Sequence, residues 1–171
     1  MIIGMSVATF TLLHVLISVV GVVAGAAALG EMIAGRRLGV WNTVFLIATA
    51  ATSITGFFFH SASFGPPHVI GVISIVVLSI ALFAFKVRDL AGIWRPIYAV
   101  AATVALYLNA FVGVIQAFQK LSALKELAPT QTEPPFLLAQ SLLLIAFAVF
   151  GFVAAKRLPR SEHGVSDQFA Q

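Results

Sequence analysis

The chain has 171 residues, of which 60% are hydrophobic and only 9% are charged, and its mean hydropathy is +1.05. About a quarter of the residues of a soluble domain are charged, so this composition excludes an ordinary soluble protein and predicts a membrane protein. The absence of cysteine excludes disulfides and thiolate metal sites. The net charge of +4 does not indicate nucleic-acid binding, because the basic residues lie at the ends of apolar segments.

Five apolar segments each approach the roughly 20 residues that a helix needs to cross a bilayer. They cover residues 7–29, 41–59, 68–85, 96–118 and 136–155. No water satisfies backbone groups in the hydrocarbon core, so we expect helices, and no segment alternates in polarity as a barrel strand would. The sequence predicts an all-α polytopic membrane protein, with one five-helix transmembrane domain in residues 1–160 and a disordered cytoplasmic tail in 161–171. Four spans with one re-entrant segment are the alternative.

The distribution of Lys and Arg predicts the orientation of these spans. One side of the five-span arrangement carries Arg36, Arg37, Lys86, Arg88, Arg95, Lys156, Arg157 and Arg160. The other side carries only Lys120 and Lys125. The positive-inside rule then places the N-terminus outside and the C-terminus in the cytoplasm. Trp41, Trp94 and Tyr98 are expected to be aromatic anchors at the cytoplasmic interface.

Three of the four histidines are predicted to lie at one depth near the outer surface. Counting 1.5 Å per residue from the cytoplasmic end of each span places His14, His60 and His68 roughly 25–29 Å from that edge of a core about 30 Å thick. Asn109 and Gln140 fall slightly deeper by the same count. His60 and His68 flank the turn between the second and third spans.

Each of these histidines lies on the small and polar face of its predicted helix. His60 shares a face with Ser53 and Gly56, and His14 shares one with Gly21 and Gly25, which form a GxxxG packing motif. Polar groups that face lipid are costly, so these faces should point into the bundle. The predicted outer-leaflet pocket is lined by His14, His60, His68, Asn109 and Gln140.

The leading hypothesis is that this pocket binds a redox cofactor or a small ligand. Paired imidazoles on facing helices hold haem iron in helix bundles, which predicts in concrete terms a single b-type haem with His14 and His68 as its axial metal ligands. His60 is the substitute ligand, and Asn109 and Gln140 would orient an imidazole or a ligand oxygen. The sequence has no second histidine level near the cytoplasmic side, which argues against a two-haem electron path.

Other ligand chemistries fit the same residues. A quinone or another small apolar ligand needs an apolar slot with one or two hydrogen-bonding groups, which His14, Asn109 and Gln140 could supply. Three histidines could hold zinc or copper, although no acidic residue lies at their depth. The same polar side chains could also only join helices, without any cofactor.

A further alternative is a cofactor-free accessory or assembly subunit of a larger inner-membrane complex. Its partners would be the lipid bilayer and another membrane protein or a second copy, which the GxxxG face could dock, although packing of that motif within the chain is favoured. Transport is less favoured, because all six acids lie outside the spans. No nucleophile elbow appears, so no catalytic residue is assigned and an enzymatic activity stays open.

Several segments spread over the chain carry a resemblance. They are residues 34–38, 55–59, 68–74, 107–109 and 127–136. Together these segments resemble a group of small uncharacterised bacterial inner-membrane proteins. The resemblance covers nearly the whole chain and implies a multi-pass protein of the bacterial inner membrane, but it implies no activity.

Overall fold

The computed structural model describes residues 4–59 and 66–159, and the regular elements within these ranges are helices. They are α1 (Val7–Ile33), α2 (Val40–Gly56), α3 (Pro66–Leu82), α4 (Trp94–Lys120), α5 (Ser122–Leu127) and α6 (Pro134–Arg157). A π-helical turn, Phe83–Val87, continues α3. The predicted tail, 161–171, lies outside the described residues.

Four helical segments are long and apolar enough to cross a membrane. They are Val7–Ile33, His68–Val87, Trp94–Lys120 and Pro134–Arg157. The fifth predicted span corresponds to α2, which is apolar but has only 17 residues, because the chain leaves the helix at Gly56 and turns through Phe57–Phe59. The all-α prediction is therefore confirmed and four helices have the length and apolar composition of membrane spans, whereas the count of five spans and their orientation stay predictions.

Local sequence explains where α1 begins and ends and where α6 begins. The Ser6 side chain caps α1 by accepting a hydrogen bond from the Thr9 N–H at 3.1 Å. Beyond the end of α1, Gly35 has a left-handed φ of +66°, which lets the Arg36 N–H reach the Glu31 carbonyl at 2.9 Å. Glu133 precedes α6, whose first residue is proline, a residue that costs no hydrogen bond at that position.

The helices form a closed arrangement in which α1 packs against α2 and α4, and α3 packs against the same two helices. Helix α6 lies against α4 and α1. The centre is built largely from alanine, including Ala24, Ala28, Ala81, Ala84, Ala99, Ala102, Ala105 and Ala154. Hydrocarbon solvates apolar side chains as well as a protein interior does, so close van der Waals packing between small residues holds such helices together.

The GxxxG motif of α1 provides the closest of these approaches. A Cβ added at Gly25 would lie 2.5 Å from Leu106 Cδ1 of α4 and 2.7 Å from Phe45 Cδ2 of α2. One turn earlier, a Cβ at Gly21 would lie 3.3 Å from polar atoms of both neighbouring helices. The motif therefore packs inside the chain, as the sequence favoured.

A buried polar pair joins α2 and α4 at the end of the bundle where these helices begin. Asn42 and Tyr98 are both 0% exposed, and the tyrosine hydroxyl donates to Asn42 Oδ1. The ring of Tyr98 also lies 5.5 Å from that of Phe85 in the π-helical turn. The prediction that Tyr98 is an interfacial anchor is wrong, because packing against α2 and the π-helical turn removes the side chain from the surface.

Replacing Gly25 with alanine should destabilise the protein by about 1–3 kcal/mol, the usual cost of overpacking a core. Gly30→Ala is the matched control, because nothing lies within 4 Å of a Cβ at that position of the same helix. Thermal unfolding in detergent, followed by circular dichroism, measures both variants. Equal melting temperatures for the two would show that the close contact at Gly25 does not limit packing.

The turn before α6 should make stability depend on pH. Partial desolvation alone would raise the pKa of Glu133, but hydrogen bonds to its carboxylate from the Thr130 and Thr132 N–H groups and the Thr130 hydroxyl hold the pKa below its usual range. A lowered folded-state pKa adds stability above the ordinary glutamate pKa of 4.5, and this stability is lost as the pH falls through the folded-state pKa.

Glu133→Gln should therefore lower the melting temperature at neutral pH and have no effect once the wild-type carboxylate is protonated. Paired melting curves from neutral to acidic pH measure this difference. A difference that stays constant across the series would contradict the assignment.

Candidate functional site

His14 is held at the interface of α1 and α2 by a hydrogen bond to a threonine. Its Nδ1 lies 2.8 Å from Thr55 Oγ1, and its ring meets Phe59 edge-on, with centroids 5.1 Å apart. The neighbouring Gly56 leaves room for the imidazole, because a Cβ there would lie 3.8 Å from His14 Cε1. The side chain is half-buried. The predicted inward orientation of His14 is consistent with these contacts.

The bonding of Thr55 decides which nitrogen of His14 carries the proton. The Thr55 hydroxyl donates its only hydrogen to a backbone carbonyl of its own helix, at 2.7 Å for Ala51 O and 3.2 Å for Thr52 O. It can then only accept from His14, so Nδ1 is the protonated nitrogen of the neutral ring. The lone pair of Nε2 is left for another partner.

A second polar contact lies one turn further along α1. The Ser18 hydroxyl donates to Asn109 Oδ1 of α4 at 2.8 Å. Asn109 Nδ2 and Thr49 Oγ1 are buried and have no hydrogen-bond partner among the described residues. Both atoms would lie 3.3 Å from a Cβ on Gly21, so they converge on the bare backbone of this glycine.

We call this group the polar seam. It consists of His14, Ser18, Thr49, Thr55 and Asn109 and follows the interfaces of α1 with α2 and α4. The sequence predicts His14 and Asn109 as site residues, and Ser18, one turn after His14 on the same face of α1, bonds Asn109. Thr55 was missed as a site residue, because its role depends on which residue of α2 lies opposite His14.

The other predicted site residues occupy different surroundings. The His68 ring lies 6.0 Å from that of Phe57, and it sits at the start of α3, a helix that is not a main neighbour of α1. Gln140 Nε2 donates to the Phe111 carbonyl of α4 at 3.3 Å, a bond that does not involve the polar seam. His60 lies outside the described residues.

In the part of the chain that the structure describes, the histidines do not form a cluster that could bind a metal ion. No three His, Cys, Asp or Glu side chains come together there. A three-histidine zinc or copper site would depend on His60, which lies outside that part. A single iron with imidazoles from His14 and His68 needs only two protein ligands and is a separate hypothesis.

Comparison of the chain with protein-family models, with curated proteins and with solved structures found no match.

Replacing Thr55 with valine should change the tautomer of His14. Valine keeps the shape of threonine but cannot accept from Nδ1–H, so the proton should become free to occupy Nε2. Imidazole ¹⁵N chemical shifts of labelled protein in detergent distinguish the two tautomers. The lost bond should also cost about 0.5–1.5 kcal/mol of stability.

The matched control is Thr52→Val, which removes a hydroxyl that donates to the Ala48 carbonyl of the same helix. This control should leave the His14 spectrum unchanged. An unaltered Nδ1–H signal in Thr55→Val would disprove the assignment.

Proposed function

We propose that this protein is a multi-pass protein of the bacterial inner membrane that binds a redox cofactor or a small ligand at the polar seam, with His14 as the point of attachment. The observation that carries the proposal is the bond from His14 Nδ1 to a hydroxyl that has already donated its hydrogen. A ring fixed in this way presents the Nε2 lone pair in a constant direction. Imidazoles that bind metals are typically held through their other nitrogen in the same manner.

The proposed arrangement has five spans, with the N-terminus outside and the C-terminus in the cytoplasm. At 1.5 Å per residue, the 17 residues of α2 extend roughly 25 Å, close to the thickness of a hydrocarbon core. Eight of the ten basic residues then lie on the cytoplasmic side. This arrangement places His14 near the outer surface, where a ligand can enter from the membrane or from outside.

A single b-type haem is the most concrete form of the proposal. His14 Nε2 and an imidazole of His68 or His60 would hold the iron. Bound haem would supply one-electron chemistry, while the chain would orient the His14 ring through Thr55 and exclude water with Phe59. The observation that supports haem is the imidazole of His14, which its bond to Thr55 holds in one orientation.

A quinone is the second candidate, and a different observation favours it. Asn109 Nδ2 is a buried donor with no partner in the described residues, and a haem iron could not use it. A quinone oxygen could accept from this amide, and the hydroxyl of a quinol could donate to His14 Nε2. An amide and an imidazole in a largely apolar interface are the few polar groups that such sites use.

The cofactor-free accessory subunit is the competing proposal. A partner helix would need a face of small residues, but Gly21 and Gly25 are already packed against α2 and α4. The exposed faces of α6 instead carry large side chains such as Leu142, Ile145 and Phe152. These side chains suit contact with lipid tails, so the available surface favours an independent bundle.

The test is an absorption spectrum of protein purified in mild detergent from haem-supplemented cells, first oxidised and then reduced. A Soret band with sharp reduced bands, lost in both His14→Ala and His68→Ala, supports haem with these two ligands. A featureless spectrum rejects haem, and native mass spectrometry then measures bound quinone in wild-type and His14→Ala protein. The ligand-binding proposal fails if neither species is bound or if His14→Ala retains it fully.

A further inference from the structure

An apolar groove runs along the outer surface between α3 and α4, away from the polar seam. Its volume is about 440 Å³, within the range of roughly 300–1,000 Å³ that is usual for sites of small molecules. Its walls are Val77, Ile80, Pro96, Ile97, Val100 and Val104. Ala101 is its most buried member, at 7% exposure, whereas Ile80 and Val100 are 42% and 49% exposed. In a membrane, these exposed walls face the lipid tails.

Basic residues mark one end of this groove. Arg95 directly precedes Pro96 of the groove wall, and Lys86 and Arg88 lie where α3 ends. Asp89 is the one acid in the segment from 86 to 95, so three cations outnumber one anion there. From Pro96 to Val104 the wall extends about 12 Å along α4, from the charged end toward the middle of the bilayer.

Two of these cations lie on aromatic rings at the ends of α3 and α4. The Lys86 ammonium lies 5.0 Å from the centre of the Phe85 ring, and the Arg88 guanidinium lies 5.4 Å from that of Trp94. Arg95 Nε is buried and has no hydrogen-bond partner among the described residues. The terminal guanidinium N–H groups of an arginine at this position are donors for which a phosphate oxygen is a suitable acceptor.

We infer that the α3–α4 groove binds one anionic phospholipid, with an acyl chain along the groove and the phosphate at Arg95. The apolar walls match a hydrocarbon chain, and the positive end matches an anionic headgroup. Basic pockets between transmembrane helices recognise anionic lipids in this way. A zwitterionic lipid would fill the groove but would gain less from the cations, and a quinone would lack the negative charge. The inference is independent of the ligand at the polar seam.

The test uses the full chain in nanodiscs that contain equal parts of phosphatidylglycerol and phosphatidylcholine. After transfer to mild detergent, native mass spectrometry counts the lipids that remain bound. We expect one retained phosphatidylglycerol per chain, with phosphatidylcholine far less abundant. Arg95→Gln should lower phosphatidylglycerol retention about fivefold, the effect expected for one cation near an anionic lipid.

Two matched controls separate charge from shape. Lys156→Gln removes a cation that lies on the Phe152 ring of α6, away from the groove, and should retain lipid as the wild type does. Val100→Trp should fill the groove and lower retention, whereas Leu142→Trp places the same bulky side chain on the exposed face of α6 and should not.

Equal retention of the two lipids by the wild type would overturn the inference. Equal effects of Arg95→Gln and Lys156→Gln, with both variants showing wild-type helicity, would also overturn it. If Arg95→Gln does not fold, the comparison of Val100→Trp with Leu142→Trp decides, and equal retention by these two rejects the groove.

Discussion

The close approach of α1 to α2 and α4 at Gly25 sets the register on which the polar seam depends. Phe45 and Leu106 occupy the space that a side chain at position 25 would need, so these helices cannot slide past one another without losing that contact. From this contact, the antiparallel register of α1 and α2 continues toward the end of the bundle that contains His14. Gly25 faces Phe45, Gly21 faces Thr49 and His14 faces Thr55, and in each pair the two residue numbers add to 69 or 70. A bare glycine at one end of an interface thus determines the hydrogen bond of a histidine near the other end.

The same register explains why buried polar atoms are concentrated beside Gly21. Ser18 satisfies the oxygen of Asn109, but α1 offers no side chain at position 21 that could reach the amide nitrogen or the Thr49 hydroxyl. A buried polar group without a partner is costly, and more so where no water can replace the partner. The small residue that permits close helix packing therefore also leaves two buried polar groups without a partner among the described residues.

Much of this arrangement could be predicted from the sequence. The lengths of the apolar segments predicted the helices, and the depth count with the helical period predicted that His14 and Asn109 face inward. What the sequence could not give was the rotation of one helix against another. Thr55 lies next to the Gly56 face that was identified, and only the register shows that it meets His14. The error at Tyr98 has the same origin, because an aromatic residue near a helix end suits either an interface or a core, and the partner Asn42 lies 56 residues away.

The polar groups at the two ends of the bundle differ in how far they are buried. Asn42 and Tyr98 are fully enclosed, so their bond fixes α2 against α4 but offers no path for a ligand, even though Asn42 Nδ2 has no partner among the described residues. His14 is only half-buried, and its ring edge lies beside Phe59 where α2 has already ended. Beyond Gly56, where the 17-residue α2 ends, Phe58 and Phe59 lie against Phe10 in the first turns of α1. In the proposed function, a ligand would reach the imidazole at this end of the bundle, where the short α2 gives way to the turn Phe57–Phe59.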